Sequence, residues 1–505
     1  MPAMRTAARP VTTRSVVVVL SCIGVLAAIT TIAQRYGFSS LAIDRAAVQS
    51  WLAGDGLYAY RSTRTQLGTA LPPPALFFVS PAVLLPLGLA GWLTALAGVA
   101  ALGLSLVALV GPVARRYGRR RWPVVLAASA LALTAEPVRA ALGIGALDLL
   151  VFGLITADIV ALRRGAWARS RAAWWPGRSA SAPPGRTAGD LTRRAWATGA
   201  WAGLGTGIAT ALAVTPAFFI AYLVVTRQWR AAGLAVGTAL SAALAALVIT
   251  PRETTAWFSE VLWRIDRSGP VDAIGNQSLA GVLARIYDSA TTPVLLWLSF
   301  SLLLIAVGFI RARAAHADGD EIAAFTLIGL TAAIVGPVTD THELIWVLPA
   351  TLILIDSAAR LRVTAGRPMP GRNRWPGLGS AIFAGLTYLL FVLAPMWSLH
   401  DAFSGNAYAL ALILLVNALP WRPGVAPAFP INRWLGRPVL REARVGRAPG
   451  TGRGSGADRA AGTLPGGDRG ADRHRPAAGD PPGRSHVPGG PLPAASIPPP
   501  RDPGR

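Results

Sequence analysis

Long runs of apolar residues, separated by segments rich in arginine, constrain the fold of this chain more than any other feature. The first run covers residues 15–33, and similar runs recur as far as residue 419. Hydrophobic residues make up 53% of the chain. Charged residues make up 14%, whereas soluble domains carry about 25%. Because backbone amides in a bilayer must be satisfied within helices or closed barrels, runs of this length predict an all-α, polytopic membrane protein.

The distribution of arginine predicts how the chain crosses the membrane. The net charge is +24, and the chain contains no lysine. The arginines cluster between apolar runs, at 115–121, 163–194 and 357–376, and in the last 85 residues. This is the positive-inside pattern rather than the basic surface of a nucleic-acid-binding protein. It predicts a plasma-membrane protein of about 12 transmembrane helices, with those loops and both termini in the cytoplasm.

Three regions follow from composition. Residues 1–14 form a cytoplasmic N-terminus, residues 15–420 the membrane domain, and residues 421–505 a Pro-, Gly- and Arg-rich tail. The tail has too few apolar residues to pack, so we predict that it is disordered and that deletion of residues 430–505 leaves fold and activity intact. Binding of anionic lipid headgroups is the alternative. The only cysteine, Cys22, excludes a disulfide within the chain.

Within the membrane domain, proline and polarity predict the remaining segments. Pro81 and Pro86 interrupt residues 75–90, which we expect to be re-entrant or to lie on the membrane surface. The segments 136–148 and 251–290 are expected to be outer loops. Residues 196–212 and 214–226 are expected to form a pair of spans whose junction faces outward.

The stretch that follows the first apolar run carries an acidic residue at a membrane boundary. Asp44, Val48, Trp51 and Leu52 follow one another at helical spacing, which predicts a short helix on the membrane surface. A carboxylate held there is costly to desolvate, which favours a function for Asp44. The alternative is a loop aspartate that faces water.

Further polar residues, far apart in sequence, fall on the outer face in this topology: Glu136, Arg139, Asp148, Thr215, Asn276, Gln277, His342 and Glu343. Each has a structural alternative. Arg139 is placed to pair with Glu136, Asp148 to cap a helix, and Thr215 to begin one. Their convergence nevertheless predicts a shared outward-facing cavity. Motifs of soluble enzymes are absent, and the acidic and histidine residues are too scattered in sequence to indicate a metal.

At these residues the chain resembles glycosyltransferase family 87, the polyprenyl-phosphate-mannose-dependent α-mannosyltransferases. The resemblance runs from about Ile43 to Asp356. The family's Asp, Gly and Leu-Tyr resemble Asp44, Gly54, Leu57 and Tyr58, and its Glu-Pro-x-Arg resembles residues 136–139. Its Gly-Gln-x-Asn resembles residues 145–148, its Lys-x-Thr-Pro residues 213–216, its Asn-Gln-Ser residues 276–278, and its Ser-Pro-x-Ser-x-x-His-His residues 336–343.

Four positions depart from the family motifs. Leu71 replaces a tyrosine before the prolines, Ala146 a glutamine, Ala213 a lysine, and Glu343 the second histidine. These departures leave open a divergent substrate or an inactive homologue that acts as an assembly partner.

The resemblance implies a C-type glycosyltransferase fold with an outward-facing cavity. It also implies inverting transfer of mannose from a polyprenyl-phosphate donor to a glycolipid acceptor, with neither a cofactor nor a metal. Asp44 is then the base, and Arg139, Arg285 and His342 bind the donor phosphate. The sugar or acceptor contacts are Glu136, Asp148, Thr215, Asn276, Gln277 and Glu343. A lipid-linked sugar transporter, which needs no base, is the alternative.

Overall fold

A computed structural model describes residues 13–63, 66–174, 187–264, 269–289, 291–364, 376–395 and 403–423. Within these ranges every regular element is helical, which confirms the predicted all-α class. The helices of the first half are α1 Thr13–Tyr36, α2 Ser39–Leu52, α3 Pro73–Val83, α4 Leu87–Arg116, α5 Arg121–Thr134, α6 Glu136–Ile144 and α7 Asp148–Trp174.

The second half continues in the same way. Its helices are α8 Ala188–Thr198, α9 Leu204–Leu212, α10 Ala217–Val225, α11 Trp229–Ile249, α12 Pro251–Ser259, α13 Leu279–Ile286, α14 Val294–Ala317, α15 Glu321–Val335, α16 Val347–Thr364, α17 Leu378–Leu393 and α18 Ala407–Ala418. Short 3-10 turns occur at Val261–Trp263, Thr341–Trp346 and Ser404–Asn406. The buried side chains form a core that runs from Ile29 to Leu419.

In the described residues, four helices are long and apolar enough to cross a membrane. They are α4, α11, α14 and the stretch Thr341–Thr364 that contains α16. A fifth is gained if α5 and α6, which meet at an angle of 71°, count as one broken span. These helices agree with an integral membrane protein, whereas the predicted number of twelve spans is not confirmed.

Two predicted outer loops contain helices. Residues 136–144 form α6 because Pro137 lies in its first turn, where its missing N–H is not needed. Ala135 before it is extended, and this produces the bend from α5. The predicted loop 251–290 holds α12 and α13. Both predicted loops therefore contain helical segments, and their position on the outer face stays a prediction.

The predicted pair of spans at 196–212 and 214–226 was wrong. The chain there forms α9 and α10, each nine residues long. Such a helix is about 14 Å long, half of the ~30 Å that a span needs. The buried carboxylate of Asp158 accepts hydrogen bonds from the backbone N–H groups of Gly205 and Thr206, at 3.2 and 2.6 Å, and so caps the start of α9.

The predicted tail is ordered at its first residues. The carboxylate of Asp356 on α16 binds the Arg422 guanidinium through two contacts, and the Trp421 ring N–H donates to Asp318 at 2.7 Å. The membrane domain therefore extends beyond residue 420. The rest of the predicted tail, from residue 424, lies outside the described residues, as do residues 1–12 of the predicted N-terminus.

Candidate active site

Asp44 lies on α2, as its helical spacing predicted. Its carboxylate oxygen Oδ1 accepts a hydrogen bond of 2.8 Å from the buried hydroxyl of Thr69. Burial raises the pKa of the Asp44 carboxyl to about 6, and the Thr69 hydrogen bond opposes that shift. A carboxyl group with such a pKa is largely ionised at neutral pH, yet it binds a proton more readily than an ordinary aspartate.

The surroundings of α2 fix the position of Asp44. The N–H of Phe38 donates to the carbonyl of Gly143 at 2.9 Å, and Leu41 packs on Gly145, so α2 meets the junction between α6 and α7. The Arg45 guanidinium donates to the carbonyls of Ala82 and Val83 at the end of α3. The residues at helical spacing do not share one environment, because Val48 is buried whereas Leu52 is 63% exposed.

Glu136 and Arg139 form the ion pair that their spacing allows. The Arg139 nitrogen Nη2 lies 2.7 Å from Glu136 Oε2, and the Tyr36 hydroxyl donates to Glu136 Oε1 at 2.5 Å. The Glu136 side chain is almost fully buried, and its carboxylate binds the partly exposed guanidinium of Arg139. Among the described residues, the buried Nε of Arg139 has no hydrogen-bond partner.

The segment after α15 brings a histidine and several carboxylates together. His342 Nε2 lies 3.7 Å from Asp148 Oδ2, and the ligand atoms of Asp148, His342 and Glu343 lie within 4.8 Å of one another. Asp340 is a further neighbour: burial raises the pKa of its carboxyl, and His342 opposes the shift. Asp148 is the first residue of α7, whereas its structural alternative was a cap in front of that helix.

Asn276 and Gln277 have structural roles. Both are fully buried. Asn276 donates to the carbonyls of Val271 and Pro337 and accepts from the N–H groups of Ser278 and Thr339. Gln277 likewise donates to the carbonyls of Ile274 and Gly405 and accepts from the N–H of Ala409. Their amide groups tie loops together, so the predicted contacts with sugar hydroxyls do not fit this arrangement.

Arg285 and Thr215 complete the predicted set. The Arg285 guanidinium donates to Asn406 Oδ1 at 3.0 and 2.6 Å and to the carbonyl of Ala273 at 2.6 Å. Burial lowers the pKa of this guanidinium, and Asp272 opposes the shift. Thr215 is exposed in the turn between α9 and α10, and its carbonyl accepts from the N–H of Phe218. Thr215 therefore lies two residues before α10, which begins at Ala217 and is preceded by Pro216.

The structure joins predicted residues in two groups, Asp148 with His342 and Glu343, and Glu136 with Arg139. Asp148 begins α7, Glu136 begins α6, and His342 and Glu343 lie between α15 and α16. Asn276 is joined to the first of these groups through Thr339. Sequence reasoning missed Tyr36, Thr69, Asp340 and Asn406. The proximity of Asp340 to His342 in sequence was an available signal, whereas nothing in the sequence indicates that Thr69 meets Asp44.

Fold and site together define a helical membrane protein whose acidic, arginine and histidine side chains gather beside the ends of its helices, a set suited to acid–base and phosphate chemistry. Residues 71–337, just over half of the chain, match the model of glycosyltransferase family 87. The chain belongs to this family. The matched range begins after Asp44 and ends before His342.

Named relatives come from mycobacteria. A polyprenol-phosphate-mannose-dependent alpha-(1-2)-phosphatidylinositol mannoside mannosyltransferase of Mycobacterium tuberculosis is 26% identical over 236 residues, 47% of each chain. A polyprenol-phosphate-mannose-dependent alpha-(1-2)-phosphatidylinositol pentamannoside mannosyltransferase of Mycolicibacterium smegmatis is 23% identical over 369 residues, 71% of this chain and 78% of that protein. In the first of these matches the chain spans about half the length of its relative.

Among solved structures, ArnT from Cupriavidus metallidurans in the apo state gives a TM-score of 0.33 at 18% identity, covering 80% of this chain and 76% of that one. The same protein bound to undecaprenyl phosphate gives a TM-score of 0.31 at 16% identity. At these scores the similarity does not define the fold of this chain, and the C-type architecture stays a prediction.

Proposed function

We propose that this protein transfers mannose from a polyprenyl-phosphate donor to a glycolipid acceptor on the outer face of the membrane, with inversion at the anomeric carbon. Membership of family 87 supports glycosyl transfer. The names of the relatives support polyprenol-phosphate-mannose as the donor and a phosphatidylinositol mannoside as the class of acceptor.

Asp44 is the proposed general base, and the burial of its carboxyl group beside Thr69 supports this role. A neutral hydroxyl attacks an anomeric carbon slowly, so the reaction needs a group that removes its proton. A carboxyl group with a pKa of about 6 is ionised at neutral pH and is a stronger base than an ordinary aspartate. Thr69 leaves the other carboxylate oxygen, Oδ2, for the acceptor hydroxyl.

Arg139 is the proposed partner of the donor phosphate. Its ion pair with Glu136 uses Nη2, and Nη2 also donates to the carbonyl of Val392 at 3.2 Å. The nitrogen Nη1 remains for an anion, and a charged guanidinium N–H forms a strong hydrogen bond to a phosphate oxygen. The side chain of Arg139 is 28% exposed, so a ligand can reach it. Arg285 is less suitable, because all three of its nitrogens donate within the protein.

A membrane assay with polyprenyl-phosphate-mannose and phosphatidylinositol mannoside acceptors tests this function. We expect a mannosylated acceptor from wild-type membranes and at least about 100-fold less from Asp44→Asn membranes, since a positioned general base contributes about 10²–10⁴-fold. Movement of the intact donor across the membrane without a mannosylated product would instead indicate a transporter. Absence of both activities in a folded wild-type protein would indicate an inactive homologue.

A further inference from the structure

We propose that Asp148, His342 and Glu343 bind one divalent transition-metal ion, Mn²⁺ or Zn²⁺. An imidazole nitrogen and two carboxylate oxygens lie within 4.8 Å of one another, brought together from two distant parts of the chain. This set combines the ligand types that both ions accept. The proposal goes beyond sugar transfer, for which the family resemblance implies no metal.

The separation of two of these ligands fits a shared ion better than a direct contact. His342 Nε2 and Asp148 Oδ2 are 3.7 Å apart, beyond the usual 2.7–3.2 Å range of a hydrogen bond. Two ligands that each lie about 2.1 Å from one ion are about 3.0–3.4 Å apart. Both side chains are largely shielded, at 19% and 27% exposure. A shift of a few tenths of an ångström, on the order of that difference, therefore brings this pair to the separation of two ligands of one ion.

The negative charges in this cluster also favour a bound cation. The carboxylate of Glu343 is repelled by those of Asp148 and Asp340. His342 is the basic group that faces Asp148 and Asp340. In the described part of the chain, no side chain donates a hydrogen bond to the carboxylate of Asp148 or Glu343. Shielded carboxylates without such partners are costly, and a bound divalent ion removes that cost.

Three protein ligands leave open positions on such an ion. A phosphate oxygen is a suitable occupant, because the carboxylates alone would repel it and the ion would attract it. This last step rests on the proposed mannosyl transfer. Metal binding itself does not, so a direct binding measurement separates failure of the metal site from failure of the transferase proposal.

The test uses the full-length protein, purified in detergent and freed of metal with a chelator. Titration with Mn²⁺ or Zn²⁺ is followed by calorimetry, bound Mn²⁺ by electron paramagnetic resonance, and metal content by mass spectrometry. We expect one ion per wild-type chain. Loss of a ligand should cost more than loss of a supporting group, which costs roughly 10–100-fold in affinity, so Glu343→Gln and Asp148→Asn should each bind at least about 100-fold more weakly.

Asp340→Asn is the matched control, because it removes a neighbouring carboxylate that is outside the ligand set. It should weaken binding by no more than a few-fold. Wild-type binding no tighter than that of Glu343→Gln would overturn the proposal. So would an equal loss in Asp340→Asn, because it would indicate a diffuse acidic surface. Thermal unfolding of the metal-free variants checks that Glu343→Gln, Asp148→Asn and Asp340→Asn are each folded.

Discussion

At Asp44, two effects act on one carboxyl group in opposite directions. Burial removes water from the carboxylate and raises the pKa, whereas the Thr69 hydroxyl stabilises the ionised form and lowers it. Burial prevails, and the pKa of Asp44 is about 6. The group therefore changes its charge close to physiological pH, where an ordinary aspartate does not.

The first prediction is the dependence of transfer on pH. The base is active when ionised, so kcat/KM should rise about tenfold per pH unit below pH 6 and level off above it.

The raised pKa also means that the folded state disfavours the ionised carboxylate. Wild type should therefore lose stability relative to Asp44→Asn as the pH rises from 3.8 to about 6. The control is Asp55→Asn, which should retain the wild-type dependence of kcat/KM on pH. A wild-type kcat/KM that stays constant between pH 5 and 7 would contradict the assignment of Asp44 as the base.

The second prediction concerns the structural role of Asn276. Asn276→Ala leaves the buried N–H groups of Ser278 and Thr339 without their acceptor. An unsatisfied buried group costs about 1–3 kcal/mol, so the variant should unfold at a clearly lower temperature in detergent. Asn417→Ala, which removes an exposed amide on α18, should not. If Asn276→Ala is as stable as wild type and has a raised KM for the acceptor, Asn276 contacts the sugar and the structural role is wrong.

At the scale of elements, hydropathy predicted helices correctly but not their lengths. The runs 15–33 and 293–310 became α1 and α14, because a long apolar run has no competing local signal. Residues 196–226 are equally apolar, yet they form α9 and α10. The packing around the start of α9 explains where that helix begins, because Gly203, Gly205 and Gly207 lie directly against the backbone of α7 and α11. Contacts between distant segments set these boundaries, and one sequence read alone does not contain them.

The third prediction tests this close packing. Gly203 has a φ of +101°, and an added Cβ would lie 2.1 Å from the carbonyl oxygen of Ala231. Gly203→Ala should therefore destabilise the protein by at least about 1–3 kcal/mol, the cost of a strained backbone position. The control is Gly233→Ala on the same packing partner, α11, where a Cβ meets nothing within 4 Å. It should be neutral or stabilising, and equal effects of the two substitutions in thermal unfolding would refute the packing argument.

At the scale of the whole molecule, the sequence predicted which residues belong to the site better than it predicted how they are arranged. Motif resemblance named Asp44, Arg139 and His342, because their neighbours in sequence match the family. The spacing of Glu136 and Arg139 within one helix indicated their ion pair, whereas no motif indicated that His342 lies beside the carboxylate of Asp148. That second contact depends on how segments from distant parts of the chain meet, which motif spacing does not encode.

The fourth prediction concerns the orientation in the membrane. The arginines at 115–121 predict that this loop is cytoplasmic, and the loop after α13 is predicted to be outside. With Cys22 replaced by alanine, we expect a membrane-impermeant maleimide added to intact cells to label Asp288→Cys and not Arg119→Cys. Both positions are exposed, so each is accessible once its side of the membrane is reached. The reverse labelling pattern would show that the predicted topology is inverted.

Turnover by Asp44→Asn, measured beside wild type in one membrane assay, tests the central claim most directly. Both proteins receive polyprenyl-phosphate-mannose and a phosphatidylinositol mannoside acceptor, and both the product and the bound donor are quantified. The substitution keeps the size of the side chain and its contact with Thr69 but removes its basicity. We expect normal accumulation, normal donor binding, and transfer at least about 100-fold slower than wild type. An active wild type together with near-normal transfer by Asp44→Asn would show that another residue is the base.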